Sequence, residues 1–263
     1  MIMQDFKPTI LISTPSYALY MSEVAQEMGI TKDDISLRIG MFGAEGHTEE
    51  MRMELEKRWG INATENYGLS EVMGPGVAGE CLEHTGMHIN EDMFIIEIID
   101  PETGEVLLEG EKGEVVITPL GKEGIPLLRY RTKDISWIMA DKCSCGRTTR
   151  RLHKIQGRTD DMLIIKGVNV FPSQVEGVLL GIDHISPQYQ LVVRKKGFVD
   201  DLEVKVELED ASLLDNYKAL EELRKDIQHK IHTVLGIMVK VSLLEPKSIE
   251  RTTGKAKHVI DLR

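Results

Sequence analysis

Cysteine is scarce in this 263-residue sequence, with three in all, too few for a disulfide framework. No apolar run approaches the roughly 20 residues that a bilayer-spanning helix requires, so a membrane partner is not expected. Positive charge is also in deficit: 32 Lys and Arg stand against 43 Asp and Glu, for a net charge of −11. That balance excludes nucleic acid as the main partner, because neutralising a phosphate backbone takes a basic face. A nucleotide needs only a local cluster of donors and stays open. Met1-Ile2-Met3-Gln4-Asp5 places no basic stretch ahead of an apolar one, so no secretory leader is expected and the cytoplasm is the expected compartment. Internal repeats and low-complexity segments are missing too. What is present, 41% apolar and 29% charged residues, is the composition of a folded globular chain.

The pattern divides in two near Gly157–Asp160, predicting a first domain over 1–158 and a second over 159–263. The acidic excess lies in the first part, where 17 Lys and Arg face 26 Asp and Glu up to residue 159. Thr9–Ile12 reads as a buried strand, Pro15 opens a helix and Gly29 closes it. Leu37–Phe42 reads as a second strand. A helix from Thr48 carries Met51, Leu55 and Trp59 on one face and stops at Gly60. Beyond Gly74-Pro75-Gly76 the pattern turns antiparallel, with Met93–Ile99 and Gly113–Thr118 as hairpin strands. From Asp161 the elements run strand (162–170), helix (172–180), strand (189–195), strand (202–209), helix (213–235), strand (239–244). The long helix aligns Leu213, Tyr217, Leu220, Leu223, Ile227, Ile231 and Val234 in one apolar stripe. The expected fold class is α/β in the first part, a mixed sheet with a hairpin region, followed by a small βαββαβ domain of α+β type.

Several short motifs carry chemistry. Asn66-Tyr67-Gly68-Leu69-Ser70-Glu71 follows a strand end. Its ring can stack on a base, and its hydroxyl and carboxylate can meet phosphate oxygens and Mg²⁺, a hard ion that takes oxygen ligands. Gly43-Ala44-Glu45 also follows a strand, where small residues let a flat ligand approach the backbone. Arg129-Tyr130-Arg131-Thr132-Lys133-Asp134 ends on a carboxylate suited to two ribose hydroxyls. Gly157-Arg158-Thr159-Asp160-Asp161 sits at the expected boundary as a linker or hinge, and Thr252-Thr253-Gly254-Lys255 falls on a C-terminal loop. Read singly, each also suits an ordinary turn, strand end or solvated surface.

In this order the motifs resemble those of the adenylate-forming superfamily, which includes acyl-CoA synthetases, luciferases and peptide-synthetase adenylation domains. The run Asp161–Glu176 (DMLIIKGVNVFPSQVE) and Gly68–Val77 (GLSEVMGPGV) are similar to its phenylacetate–CoA ligase branch in particular. The resemblance implies a ligase using ATP and coenzyme A and forming an acyl-AMP intermediate from an aryl acid. It implies that Tyr67 stacks on adenine beside Gly43, Ala44 and Glu45, with Asn66 and Gly68 alongside. Ser70 would meet phosphate, Glu71 would help to hold Mg²⁺, Asp134 would take the ribose hydroxyls, and Arg158 would hold ribose or phosphate. Lys255 would bridge the acid and the α-phosphate, Asp160 would be the hinge, and the Gly167 loop would face coenzyme A. The acyl pocket is expected near Gly68 and Gly74–Val77.

The superfamily's Ser/Thr/Gly-rich phosphate loop has no counterpart here, since Ile12-Ser13-Thr14-Pro15-Ser16 has no glycine. The expectation is therefore an incomplete form of a larger enzyme, with an exposed apolar face and the option of a homodimer. Two alternatives stay open: a non-catalytic nucleotide- or acyl-CoA-binding remnant, and an aryl-acid adenylating enzyme serving a carrier protein. Independently of the resemblance, Cys143-Ser144-Cys145 together with Cys81 and His88 supplies three thiols and an imidazole, a donor set for tetrahedral structural zinc. His84 competes with His88 for the fourth place.

Overall fold

The computed structural model describes residues 2–74, 76–196, 199–251 and 257–263. They form two compact units, residues 1–47 with 52–160 and residues 48–51 with 161–263.

In the first unit, α1 (Ile2–Phe6) and β1 (Ile10–Ser13) lead into α2 (Pro15–Glu27). Thr14 caps α2, its side chain accepting from the Tyr17 N–H, and Pro15 fills the first turn, where a missing N–H costs nothing. Gly29 takes the left-handed conformation (φ +71°) just past the helix end. There follow β2 (Ile39–Gly43), α3 (Glu49–Trp59), whose residues up to Met51 are grouped with the second unit, and β3 (Asn62–Tyr67). The expected α3 face is buried at Met51, Leu55 and Trp59, and the Trp59 indole N–H donates to the Ala18 carbonyl of α2 at 3.0 Å.

Strands β1, β2 and β3 pair in parallel through α2 and α3. The sheet then turns antiparallel through β4 (Ala78–Glu80) and β5 (Met87–Ile89). A second, antiparallel sheet is built from β6 (Phe94–Ile99), β7 (Gly113–Pro119) and β8 (Tyr130–Ser136). The chain returns to the first sheet with β9 (Ile138–Met139) and β10 (Arg151–Leu152), and to the second with β11 (Gly157–Arg158). The orders are β1-β2-β3-β4-β5-β10-β9 and β11-β8-β7-β6. Val77, Met87, Ile89, Ile96, Ile98, Val115, Ile117 and Leu152 form one core. Strand β1 is an edge, with Ile10 48% and Ile12 76% exposed.

The second unit departs from expectation at several places. Residues 162–170 are not one strand but a hairpin, β12 (Leu163–Ile165) against β13 (Val168–Val170). Lys166 (φ +54°) and Gly167 (φ +79°) form its two-residue loop, and two successive positive φ values suit the twist of a tight hairpin. After α4 (Pro172–Leu180) come β14 (Ile185–Lys196) and β15 (Val199–Leu208), the former longer than read from sequence because a bulge after Ile185 extends the pairing.

The expected helix over 213–235 is in fact a 3₁₀ turn at Ala211–Asp215 followed by α5 (Tyr217–Leu235). Asn216 divides them because its side chain accepts from the Ala219 N–H, capping a new helix start. The buried stripe of α5 is accordingly Ile227, Ile231 and Leu235, whereas Tyr217 (78%) and Val234 (50%) face solvent. Strands β16 (Lys240–Leu244) and β17 (Val259–Asp261) complete a sheet of order β16-β15-β14-β17. Its core takes residues from both α4 and α5. Among the described residues no helix is long and apolar enough to cross a membrane.

Candidate nucleotide site and a thiol cluster

The ends of β3, β8 and β11 bring together three residues that lie far apart in the sequence. Asp134 pairs with Arg158 in the β8–β11 register, and the Arg158 Nη1 donates to Asp134 Oδ1 at 3.1 Å. The Tyr67 hydroxyl donates to Asp134 Oδ2 at 2.6 Å. Arg158 also forks onto Asp160, Nε to Oδ1 at 2.9 Å and Nη2 to Oδ2 at 3.1 Å. Lys133 Nζ lies 3.3 Å from Asp160 Oδ2.

Burial pushes the Asp134 carboxyl above its ordinary value, against the pull of the Tyr67 hydroxyl and the Arg158 charge. Burial, then the Asp134 charge, raises the Tyr67 phenol, so it stays a donor. Asp160 is held low by the Arg158 fork and by Lys133. Oδ1 takes Arg158 and Oδ2 takes Tyr67, and a carboxylate oxygen can accept from more than one donor.

Gly43 pairs with Asn66 across β2 and β3, and a Cβ at Gly43 would run into the Asn66 carbonyl. Glycine is thus what lets these strand ends approach. Ala44 next to it has φ +69°. Glu45 turns to the start of α2, its Oε1 accepting from the Ser16 N–H at 2.7 Å. Past β3, Gly68 is half-buried while Ser70 and Glu71 lie exposed on a turn. The Lys122 ammonium donates to the Glu71 backbone carbonyl. Space is open at Gly74, where a Cβ would meet nothing within 4 Å, and Pro75 lies outside the described residues. Gly167 sits exposed at the β12–β13 loop. Lys255, with residues 252–256, lies outside the described residues.

Sequence reasoning missed two features here. One is Lys133, which pairs with Asp160. The other is the anchor just ahead of Lys255: Arg251 Nη1 and Nη2 donate to Glu207 Oε2 and Oε1, both at 2.7 Å, and the Ile249 N–H donates to Oε2 at 3.0 Å. Arg251 directly precedes Thr252-Thr253-Gly254-Lys255, and that adjacency was the available signal. Away from these, Glu65 is buried on β3. Burial pushes its carboxyl up to about 7, against the Lys154 ammonium 4.0 Å away.

A separate cluster gathers Cys81, His88, Cys143 and Cys145, whose donor atoms all lie within 4.8 Å of one another. Cys81 Sγ is 3.6 Å from Cys143 Sγ, and Cys145 Sγ is 3.3 Å from His88 Nε2. Burial pushes the Cys81 thiol up, whereas the Thr85 hydroxyl and the Cys145 backbone N–H pull Cys143 down to about 6. His84 is not in the cluster; its Nδ1 lies 3.3 Å from Glu80 Oε2.

Against known proteins, residues 1–120 match the model of the AMP-binding enzyme family and residues 167–263 that of the AMP-binding enzyme C-terminal domain. The chain belongs to the AMP-binding enzyme family, as the order of its motifs led one to expect. Within it, the chain is 49% identical over 265 residues to a phenylacetate-coenzyme A ligase of Aromatoleum evansii, covering all of this chain and 60% of that protein. It is 46% identical over 264 residues to the phenylacetate-coenzyme A ligase of Escherichia coli strain K12, again covering all of this chain and 60% of the relative. Among solved structures, 2-hydroxyisobutyryl-CoA ligase in the postadenylation state in complex with R3-HIB-AMP matches with a TM-score of 0.91 at 30% identity, over 99% of this chain and 56% of that one. The chain thus spans about three fifths of the length of the curated relatives it matches.

Proposed function

We propose that this chain carries the adenylate- and coenzyme A-handling part of an AMP-forming ligase joining phenylacetate, or a related aryl acid, to coenzyme A. The observation that carries this reading is the joining of Tyr67, Asp134, Arg158 and Asp160 at the ends of β3, β8 and β11. It is supported by the identity to phenylacetate-coenzyme A ligases along the whole chain.

In the first half-reaction a carboxylate oxygen attacks the α-phosphorus of ATP. The bond to the bridging oxygen breaks, and pyrophosphate leaves. In the second, the coenzyme A thiol gives up its proton, its sulfur attacks the acyl carbon, and the acyl–oxygen bond breaks to release AMP. The work left to the protein is positioning and charge stabilisation.

In this reading the Tyr67 ring lies against adenine, beside the strand ends that Gly43 lets approach Asn66. Asp134 accepts from the ribose hydroxyls with its remaining lone pairs. Arg158 moves part of its fork from Asp160 to ribose or phosphate. Ser70 and Glu71 put a hydroxyl and an exposed carboxylate side by side on one turn, an oxygen donor pair that fits Mg²⁺ with its waters; that ion would neutralise phosphate charge. Lys255 meets the acid and the α-phosphate as a point charge. Asp160 is the residue about which the second unit turns between half-reactions, bringing the Gly167 loop to coenzyme A, and the aryl ring lies by Gly68 and Gly74. A metal at the Cys/His cluster has no share in this chemistry, since four protein donors leave no open position. The three free cysteines suit a reducing compartment, which we take to be the cytoplasm.

The test supplies synthetic phenylacetyl-AMP and coenzyme A to the purified chain and follows phenylacetyl-CoA by mass, with AMP binding measured by calorimetry. Thioester formation with AMP binding is the expected result. AMP binding without thioester supports the non-catalytic remnant instead. Transfer only to a carrier-protein thiol supports the adenylating alternative, and no AMP binding overturns both the ligase and the remnant.

A further inference from the structure

We infer that Cys81, His88, Cys143 and Cys145 form a structural zinc site, one ion per chain, that fastens the β9–β10 loop to the β4–β5 hairpin. The spacing of the donors is the first argument. Zinc bonds of about 2.3 Å to sulfur and about 2.0–2.1 Å to nitrogen, set tetrahedrally, place two sulfurs about 3.8 Å apart and sulfur and nitrogen about 3.5 Å apart. The Cys81–Cys143 separation is 3.6 Å and the Cys145–His88 Nε2 separation 3.3 Å. Both are edges of such a tetrahedron, and the sulfur pair is well beyond the roughly 2.05 Å of a disulfide.

The surroundings are the second argument. His88 Nδ1 lies 3.1 Å from the Thr149 hydroxyl, which orients the ring so that Nε2 faces the thiols, as the outer partner of a metal-bound histidine does. The Thr85 hydroxyl lies 3.5 Å from Cys143 Sγ, and the Arg147 Nη1 donates to Cys145 Sγ at 3.6 Å. Three thiolates and a neutral imidazole on Zn²⁺ leave one negative charge, and Arg147 is the cation beside it. Cys81, His88 and Cys143 are buried.

The third argument is what the site joins. Cys81 follows β4 and His88 lies on β5, while Cys143 and Cys145 lie about 60 residues on, in the stretch between β9 and β10. Strand β4 pairs with Asn66 and Tyr67, so the clamp supports the strand beside the candidate nucleotide site. Binding at such a site is itself folding free energy for the segments it ties.

Metal content of protein purified without chelator, by plasma mass spectrometry, is expected to give about one zinc per chain. His84→Ala should keep it and Cys143→Ser should lose it. Thr149→Val should keep the fold but weaken zinc by roughly tenfold or more in a chelator competition, the size expected for an outer partner. Cobalt substituted for zinc should give the intense visible bands of a tetrahedral thiolate site, and chelation should expose three titratable thiols. Wild-type protein with well under one zinc per chain and three freely reacting thiols overturns the inference, as does a Cys81–Cys143 disulfide in freshly purified protein. These last measurements use the wild-type chain, so they decide for or against zinc even where Cys143→Ser fails to fold.

Discussion

Glu207→Gln isolates the anchor that precedes Lys255. The Glu207 carboxylate is 1% exposed and holds both Arg251 nitrogens and the Ile249 N–H. Burial alone raises its carboxyl, but the paired Arg251 nitrogens and the backbone donors outweigh it, and the net position is below the ordinary value. Neutralising one member of a buried, hydrogen-bonded ion pair strands the other charge, at a cost of about 3–5 kcal/mol. With a urea dependence of about 1–3 kcal/mol per molar, the transition of the unit that contains Glu207 should fall by roughly 1–5 M.

The assay has a built-in control. Both tryptophans, Trp59 and Trp137, belong to the first unit, so their fluorescence reports that unit while far-ultraviolet dichroism reports both. The dichroism transition should move and the fluorescence transition should stay. Because the folded carboxyl lies low, its stabilisation is present above the unfolded value, about 4.3, and is lost as pH falls through the folded one. The mutant and wild-type curves should therefore converge in acid. A dichroism shift below about 0.5 M, or an equal shift in fluorescence, would refute the reasoning.

Asp134→Asn keeps an acceptor for Tyr67 but removes the charge that holds Arg158. At about 1.5–3 kcal/mol for a charge-assisted hydrogen bond, AMP affinity should fall by about 10- to 150-fold in calorimetry, and an unchanged affinity would remove Asp134 from the site. Glu65→Gln should stabilise the first unit at pH 8 by roughly 2–3 kcal/mol and not at pH 4, read from tryptophan fluorescence. A carboxyl raised to about 7 costs nothing below its unfolded value, about 4.3; the cost builds as pH rises from there to 7 and is constant above it. Gly167→Ala meets no neighbour but must hold φ near +79°. It should cost about 1–2 kcal/mol, and Gly167→Asn should cost less.

Where a residue's neighbours along the chain decide its state, the sequence was readable. The α3 face at Met51, Leu55 and Trp59 and the helix-ending Gly29 follow from period and cap chemistry. The hairpin at Lys166-Gly167 did not, because lysine is an uncommon partner in such a loop and the apolar residues on either side read as one run. Asn216 was hidden inside a stripe of correct spacing; only its side-chain bond to Ala219 shows that a helix begins there. For the site, motif order named Tyr67, Asp134 and Arg158. Their meeting depends on the β8–β11 register, a long-range pairing with no local trace. Thr149 behind His88 was invisible for the same reason, since an orienting hydroxyl has no pattern of its own.

The two borders of the seven-stranded sheet are unequal. On one side β9 is two residues long, too short a template to recruit another backbone. On the other, β1 offers four residues, ILIS, with Ile10 and Ile12 toward solvent and neither lysine nor proline among them. Charge or proline is how natural borders discourage stacking between molecules. Strand β1 is therefore the border of this sheet more open to pairing with another backbone. A lysine in place of Ile12 is the change to make when concentrated, clear solutions are wanted.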